Sequence, residues 1–316
     1  MAHLRDQDAL KIGTRASRPA LSAAYYKAAI PLLALLWGFN WPAVKIVLSE
    51  ISPWAFRASA MSLGGALLAA VAIMRGDSLA VRRDHWARLI GAGFLSIAAF
   101  NILLTFAQLS GPTSRAAIVT FTMPIWTVVF ARFLLGEKFD RRRCLGLALG
   151  AGGLVALGWP LLRSGELTTG VLLSLAAGIC WALGTIVSKR FPVAAPPLTI
   201  ATWQILVGAV CATCGMLAFE GVPLPHALQT ATIMAFLYHV LLSQALAYLL
   251  WFAILARIPA GTASLGTLMV PPVGVYGAML LLGEQPTLAD FIGLVLVIGA
   301  AATVLIPARR SGRALS

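Results

Sequence analysis

Three polar residues lie in line within one apolar stretch of the chain. Asn101, Thr105 and Gln108 stand at spacings of i, i+4 and i+7, and residues at these spacings share one face of a helix. Two amides and a hydroxyl on one face can hydrogen-bond a neighbouring helix or a polar solute. A hydrogen bond between helices within a membrane contributes roughly 0.6 kcal/mol. The sequence favours this packing role and the lining of a cavity equally.

A second polar group lies between residues 238 and 251. Gln244 and Tyr248 share a helical face with Trp251, and His239 lies on an adjacent face. An imidazole titrates near neutral pH and could take part in proton transfer, although a structural histidine that donates to a carbonyl is the commoner case. This group is a second candidate for contact with a polar solute.

Aromatic residues supply the third set of candidates. Trp181 and Trp203 fit the role of interface anchors less well than tryptophans near the ends of apolar stretches. Their rings could stack on a planar substrate or hold a cation. Asn40 and Trp41 stand directly before a proline. We therefore predict one set of substrate-binding residues from these three groups: Asn40, Trp41, Asn101, Thr105, Gln108, Trp181, Trp203, His239, Gln244 and Tyr248.

The composition indicates that the chain is an integral membrane protein, so these candidate residues must lie on membrane-spanning elements. Hydrophobic residues make up 59% of the chain and charged residues 11%, and the mean hydropathy is +0.88. Soluble domains average about 25% charged residues. The net charge of +13 is scattered between apolar stretches and forms no patch with interleaved aromatics, so it does not indicate nucleic-acid binding.

Ten apolar segments are each close to the length that crosses the hydrocarbon core, about 20 residues. The predicted fold is all-α and integral to the membrane, with short connections and no soluble domain. The ten predicted spans are 28–49, 53–74, 86–109, 113–135, 142–162, 168–190, 196–219, 229–255, 260–282 and 288–307.

The basic residues predict the orientation of these spans. Twenty of the 24 Lys and Arg residues fall on the side that holds both tails, and cytoplasmic loops carry the excess of Lys and Arg. We therefore predict that both termini, residues 1–27 and 308–316, are cytoplasmic tails.

The two halves of the chain repeat a pattern of residues. LLGEKF at 134–139 returns as LLGEQP at 281–286, and the offset of 147 also relates Pro124 to Pro271 and Gly146 to Gly293. Weaker matches relate Gly38 to Gly178 and Gly64 to Gly208. With five spans in each half, Glu137 and Glu284 fall on opposite sides of the membrane. The sequence thus predicts two inverted repeats of five helices, 28–162 and 163–307, in which glycine ends a helix and glutamate caps it or anchors it at the surface.

Prolines interrupt corresponding spans of the two halves. Proline lacks a backbone N–H and breaks the helical hydrogen-bond ladder, and paired interruptions point to mobile helices beside a binding site. We assign this gating or kinking role to the matched Pro124, Pro271 and Pro272. We assign it also to Pro42, which interrupts the first span.

The motif W-G-x-N-x-x-x-x-K, formed by Trp37, Gly38, Asn40 and Lys45, and the duplicated LLGE resemble the drug/metabolite transporter superfamily, EamA type. The resemblance covers about residues 28–307. It implies a ten-helix carrier in a bacterial-type inner membrane that exports small metabolites by alternating access through a central cavity. One branch, the aromatic-amino-acid exporters of the YddG kind, suits the nine tryptophans and five tyrosines. Thr185 stands where the second repeat would match Lys45, so the halves are not chemically equivalent.

Missing residues narrow the function further. The sequence places no acid deep in any predicted span, which predicts facilitated transport or weak proton coupling through His239. Because a P-loop, H-E-x-x-H and G-x-S-x-G are all missing, we predict no enzyme activity and no cofactor. A drug or nucleotide-sugar carrier stays open as an alternative, and a membrane transferase or a channel is disfavoured.

The remaining expectations concern partners. The four cysteines show no zinc spacing, so no metal site is predicted. The expected partners are a small-molecule substrate and the lipid bilayer. A face of small residues, Gly146, Gly150 and Gly153, packs either within the chain or across a dimer, so the sequence leaves a monomer and a homodimer open.

Overall fold

The computed structural model describes residues 23–111, 113–138, 140–157, 159, 169–223, 227–282 and 288–305. Within these ranges the chain is helical and contains no strand. Glu284 and nearly all residues of the two predicted tails lie outside the described residues.

The helices follow one another with short connections, as the apolar segments predict. Fifteen α-helices are described, and they are numbered in chain order: α1 (Ala23–Gly38), α2 (Asn40–Val47), α3 (Pro53–Met74), α4 (Trp86–Gly93), α5 (Phe100–Leu109), α6 (Thr113–Thr120), α7 (Met123–Leu134), α8 (Arg141–Leu157), α9 (Thr169–Arg190), α10 (Pro197–Phe219), α11 (Thr230–Tyr238), α12 (Ala247–Arg257), α13 (Ala260–Gly266), α14 (Val270–Leu282) and α15 (Leu288–Leu305). A 3₁₀ turn, Arg83–His85, precedes α4.

Seven helical stretches within the described residues are long and apolar enough to cross a membrane. Two shorter apolar helices, Met123–Leu134 and Phe291–Thr303, accompany them. These findings confirm the prediction of an all-α integral membrane protein. The seven stretches are Tyr26–Val47, Pro53–Met74, Arg83–Leu109, Thr169–Arg190, Pro197–Phe219, Thr230–Arg257 and Ala260–Leu281.

Several of the long stretches are interrupted. α4 joins α5 through a π-helical segment, Phe94–Ala99, and α11 joins α12 through a second one, His239–Leu246. α6 and α7 are separated by a turn at residues 121–122, and α13 and α14 by a 3₁₀ turn, Thr267–Met269. The sequence did not predict the π-helical segments.

The four prolines assigned to gating each stand just after an interruption. Pro42, Pro124, Pro271 and Pro272 are buried and occupy the first three positions of α2, α7 or α14. Proline has no N–H to donate, and it is tolerated in the first turn of a helix.

Glycines allow two pairs of helices to approach closely. A Cβ atom at Gly38 of α1 would lie 2.4 Å from the Val273 side chain of α14. A Cβ atom at Gly178 of α9 would lie 2.9 Å from the Thr120 carbonyl oxygen of α6. Small residues serve this purpose where helices pack inside a membrane.

The small-residue face of α8 packs inside the chain. A Cβ atom at Gly146 would meet Thr303 and Ala300 of α15, and one at Gly150 would meet Leu268 and Ala300. The sequence left open whether this face packs within the chain or across a dimer. In the structure, these two glycines pack within the chain.

One end of the helical bundle is rich in basic residues. Here Lys189 donates hydrogen bonds to the carbonyl oxygens of Leu255 and Ile258, at 2.5 and 2.9 Å. Glu137 accepts from the backbone N–H of Ala260 at 2.9 Å and pairs with Arg143 at 3.1 Å. We call this the basic end.

Glu137 caps a helix from the other half of the chain. Gly136 ends α7 with a φ of +68°, as predicted, but the carboxylate accepts from the first residues of α13, Ala260 and Gly261. A carboxylate at a helix N-terminus satisfies free N–H groups and complements the helix dipole. The residue thus links the loop after α7 to a helix more than 120 residues away.

Carboxylates perform the same task at the opposite end of the bundle. Glu220 accepts hydrogen bonds from the N–H groups of Trp54 and Ala55 at the start of α3, both at 3.0 Å. Glu50 accepts one from the N–H of Gln229, which precedes α11, at 3.0 Å. We call this the acidic-cap end.

The Gly38 contact can be tested by adding one methyl group. Gly38→Ala should lower the melting temperature of the purified protein in detergent, because overpacking typically costs about 1–3 kcal/mol. Gly91→Ala is the matched control, since a Cβ atom at Gly91 meets nothing within 4 Å. Equal melting temperatures for the two variants would contradict the close approach of α1 and α14.

Candidate functional site

A cavity of about 50 Å³ lies among α1, α2, α5, α9 and the second π-helical segment, beside the break between α6 and α7. Its wall combines aromatic rings with amides, an imidazole and hydroxyls, consistent with a site for a small solute that has both apolar and polar parts. The lining residues are Trp37, Asn40, Trp41, Phe100, Asn101, Leu104, Gln108, Phe121, Met123, Trp181, His239, Ser243, Gln244 and Tyr248.

A hydrogen-bond network centred on Arg57 forms the polar side of this region. The Arg57 side chain is 1% exposed. Its Nε donates to the Thr105 hydroxyl at 2.5 Å, and its Nη1 lies 3.3 Å from Nε2 of His239. The other imidazole nitrogen, Nδ1, lies 2.7 Å from the Asn40 side-chain oxygen. Arg57 thereby connects α3 to α5, to the second π-helical segment and, through His239, to α2.

These partners determine the tautomer of His239. A guanidinium only donates hydrogen bonds, so Nε2 of His239 must accept from Arg57. The proton of the neutral ring then stands on Nδ1 and is donated to the Asn40 oxygen. His239 is therefore held as a neutral hydrogen-bond relay between Asn40 and Arg57.

The polar stripe predicted on α5 is continuous with this network. The Asn101 amide nitrogen donates to the Tyr248 hydroxyl at 3.0 Å and to the Ile97 carbonyl at 2.9 Å. The Thr105 hydroxyl donates to the Asn101 carbonyl at 2.8 Å while it accepts from Arg57. Both roles that the sequence left open are therefore present, because these side chains bond between helices and Asn101 also faces the cavity.

Aromatic rings form a second part of the cavity lining. Trp181 lies 5.3 Å from Trp37, 5.8 Å from Tyr248 and 5.4 Å from Trp251 between ring centroids. Phe100 lies 4.8 Å from Trp181. Tilted and edge-on pairs at these distances attract each other, so the cluster is a preformed aromatic wall.

Two glutamines of the cavity carry amide atoms without hydrogen-bond partners among the described residues. These atoms are Oε1 of Gln108 and both Oε1 and Nε2 of Gln244. Gln244 lies close enough to the His239 ring to interact with it, but neither amide atom of Gln244 makes a hydrogen bond of ordinary geometry. Buried amides without partners are costly, and a polar solute in the cavity would supply what they lack.

The structure brings together nine of the ten residues that the sequence selected for binding. Eight line the cavity, and Thr105 lies behind the wall as the hydroxyl partner of Arg57. The eight lining residues are Asn40, Trp41, Asn101, Gln108, Trp181, His239, Gln244 and Tyr248.

Trp203 lies elsewhere. Its indole N–H donates to the Leu79 carbonyl at 2.8 Å, and its ring packs edge-on against Trp86 at 4.8 Å. These contacts lie between the start of α10 and the connection from α3 to α4, away from the cavity. Trp203 lies too near the start of its helix to reach the cavity. The residue type alone did not show how far along the helix the cavity would be.

Arg57 is the residue that sequence reasoning missed. By sequence, Arg57 is one of the four Lys and Arg residues that fall on the side opposite the two tails. Its position inside an otherwise apolar stretch was the available signal, because an ionisable residue within a membrane span indicates function.

Comparison with known proteins identifies the class. The model of the EamA-like transporter family matches residues 28–159 and 168–306. Together with the apolar helices and the central cavity, this match defines a multi-pass membrane transporter. The chain belongs to the EamA-like transporter family, within the drug/metabolite transporter superfamily.

Individual relatives agree with this assignment. The "Uncharacterized transporter YoaV" of Bacillus subtilis (strain 168) is 26% identical over 84% of this chain and 91% of its own. The "Probable amino-acid metabolite efflux pump" of Escherichia coli (strain K12) is 26% identical over 84% and 90%. A solved crystal structure with 21% identity has a TM-score of 0.74 and covers 91% of this chain and 100% of its own, which supports the fold.

The Arg57–Thr105 contact can be tested by removing one hydroxyl. Thr105→Val leaves a buried guanidinium N–H without its partner, and a hydrogen bond to a charged group contributes about 1.5–3 kcal/mol. We expect a clearly lower melting temperature in detergent. Thr202→Val is the matched control, because the buried Thr202 hydroxyl bonds only the Leu198 carbonyl of its own helix. If both variants melt alike, the network does not contribute to stability.

Proposed function

We propose that this transporter exports neutral amino acids, aromatic ones in particular, across the inner membrane by alternating access. The observation that carries the proposal is the mixed lining of the cavity. Aromatic rings around Trp181 line it together with amides and His239, and no carboxylate among the described residues lines it. Such a cavity suits a zwitterion with an apolar side chain better than a polycation.

The size of the cavity supports a transport cycle with moving helices. The present space of about 50 Å³ is far below the roughly 300–1,000 Å³ of ordinary ligand sites. Contacts between distant helices are present at both ends of the bundle, through Glu137 at the basic end and Glu220 at the acidic-cap end. A cavity of this size must expand to admit an amino acid.

The packing supports ten spans in two inverted repeats, 28–162 and 163–307. α1 packs against α12 and α14 in the way that α9 packs against α5 and α7. α3 pairs with α10, and α8 pairs with α15. A two-fold relation between five-helix halves predicts all of these contacts. The π-helical segments also occupy corresponding places before α5 and α12.

The distribution of charge supports cytoplasmic termini. At the basic end, Arg257 lies over the ring of Tyr26, near the start of α1, at 5.9 Å. Lys189 and Arg143 lie at this end as well. Cytoplasmic loops carry the excess of basic residues, which favours a basic end that faces the cytoplasm.

A relative from Escherichia coli (strain K12), 29% identical over 60% of this chain, is named an inner membrane transporter.

Counterflow in proteoliposomes tests the substrate class. L-tryptophan, L-phenylalanine and other neutral amino acids should exchange with labelled L-tryptophan, whereas L-lysine and polyamines should not. If every neutral amino acid fails to exchange, the amino-acid proposal falls and a drug or nucleotide-sugar substrate takes its place.

Two tryptophan variants refine this assay. Trp181→Phe should slow exchange by about fivefold, because pairs of aromatic rings contribute roughly 0.5–1.5 kcal/mol each. Trp203→Phe should leave exchange nearly unchanged, since Trp203 lies away from the cavity. Equal losses in the two variants would argue against binding at the aromatic wall.

A pH gradient across the same liposomes tests energy coupling. No acid among the described residues lines the cavity, and His239 already acts as an acceptor for Arg57 and a donor to Asn40. We therefore expect transport driven by the substrate gradient alone. Strong dependence on the proton gradient that survives in His239→Ala would contradict both facilitated transport and coupling through His239.

A further inference from the structure

We propose that Arg57 binds the carboxylate of the transported substrate, which assigns the substrate class as molecules with a free carboxylate and an apolar side chain. The inference rests on the proposed function, because it concerns the same cavity and deepens its specificity. Arg57 is not among the residues that the sequence selected, and it would determine which solutes the cavity accepts.

The first argument is the uncompensated charge. Arg57 is 1% exposed and makes no ion pair with any carboxylate among the described residues. It contacts the neutral Thr105 hydroxyl, the neutral His239 ring and the Phe56 ring, which lies 4.6 Å from the guanidinium carbon. A buried charge is costly unless it is paired with an opposite charge. An anionic ligand would provide that pairing.

The second argument is position. The guanidinium lies one side chain behind the cavity wall, since its partner His239 lines the cavity. A guanidinium has five N–H donors in a fork that matches a carboxylate. When the cavity expands, a carboxylate can replace the imidazole nitrogen as acceptor. The exchange substitutes an anionic acceptor for a neutral one, and charge-assisted hydrogen bonds are the stronger kind.

The third argument comes from the amides without partners. Oε1 of Gln108 and Oε1 of Gln244 are buried acceptors that line the same cavity. An ammonium group is a donor that would satisfy them. With the guanidinium of Arg57 behind the wall for the carboxylate and the rings around Trp181 for the side chain, this region offers a partner for each part of an apolar α-amino acid.

A purely structural role for Arg57 makes a different prediction. If the guanidinium only ties α3 to α5 and to His239, its removal would weaken every ligand equally through lost stability. If it binds the carboxylate, its removal would abolish the preference for an acid over the matching amide. The ratio of the two affinities therefore separates the roles.

The test measures ligand-induced thermal stabilisation of the purified protein in detergent. L-tryptophan and L-tryptophanamide serve as the matched ligands, and each is titrated to obtain an apparent Kd. In the wild type the amide should bind about tenfold to a hundredfold more weakly, the range expected for loss of a charged hydrogen bond. In Arg57→Gln the two ligands should bind equally. Lys45→Gln is the control, because it removes an exposed cation from α2 and should keep the wild-type ratio.

A conservative variant covers the case in which Arg57→Gln does not fold. Arg57→Lys retains the charge but lacks the fork, so it should bind L-tryptophan more weakly than the wild type while binding the amide equally. The inference is overturned if the wild type binds acid and amide equally, if Arg57→Gln keeps the preference, or if Arg57→Lys binds both ligands as the wild type does.

Counterflow of L-tryptophan distinguishes this inference from the proposed function. If the protein binds the acid more tightly through Arg57 but exchanges no amino acid, the carboxylate site is supported and the proposed transport of amino acids is contradicted. Exchange of acid and amide at equal rates would leave the transport proposal standing and remove the role of Arg57.

Discussion

A hydrogen-bonding group inside hydrocarbon must find a partner within the protein or in a water-filled cavity, and the Arg57 network shows how this chain meets that constraint. One guanidinium contacts Thr105 on α5 and His239 in the second π-helical segment. His239 in turn contacts Asn40 at the start of α2. Four parts of the chain therefore depend on one buried cation, and the cavity lies beside it.

The same constraint limits where irregular helical segments can lie. A π-helical segment or a 3₁₀ turn leaves some backbone groups without their usual partners, which is tolerated where the segment is buried in protein or lines a cavity. His239, Ser243 and Gln244 all belong to the second π-helical segment and line the cavity. Trp37 donates to the Ser243 carbonyl at 3.3 Å, so an aromatic residue of the cavity wall satisfies part of the irregular backbone.

Close packing supplies the remaining cohesion, because lipid is as apolar as the side chains and gives helices no hydrophobic reason to associate. Gly38 and Gly178, matched by the sequence repeat, each bring a cavity-lining helix against an interrupted one. Helices that approach this closely fit one another only in discrete arrangements. This geometry is compatible with a carrier that changes state by moving whole helices.

Much of the candidate site was predictable, and the exceptions have physical causes. The apolar segments, the prolines beside interruptions and the stripe of Asn101, Thr105 and Gln108 follow from local periodicity and the cost of polar groups in lipid. Trp181 and Trp203 looked alike in sequence, yet only Trp181 reaches the cavity, because the depth and facing of a side chain depend on how the helices pack.

The sequence by itself determined a membrane protein of apolar helices with a repeated pattern, since hydropathy and spacing are local properties. Only the tertiary structure decided that Arg57 lies beside the cavity and that no carboxylate among the described residues pairs with it. The partners of a buried charge come from helices far apart in the chain.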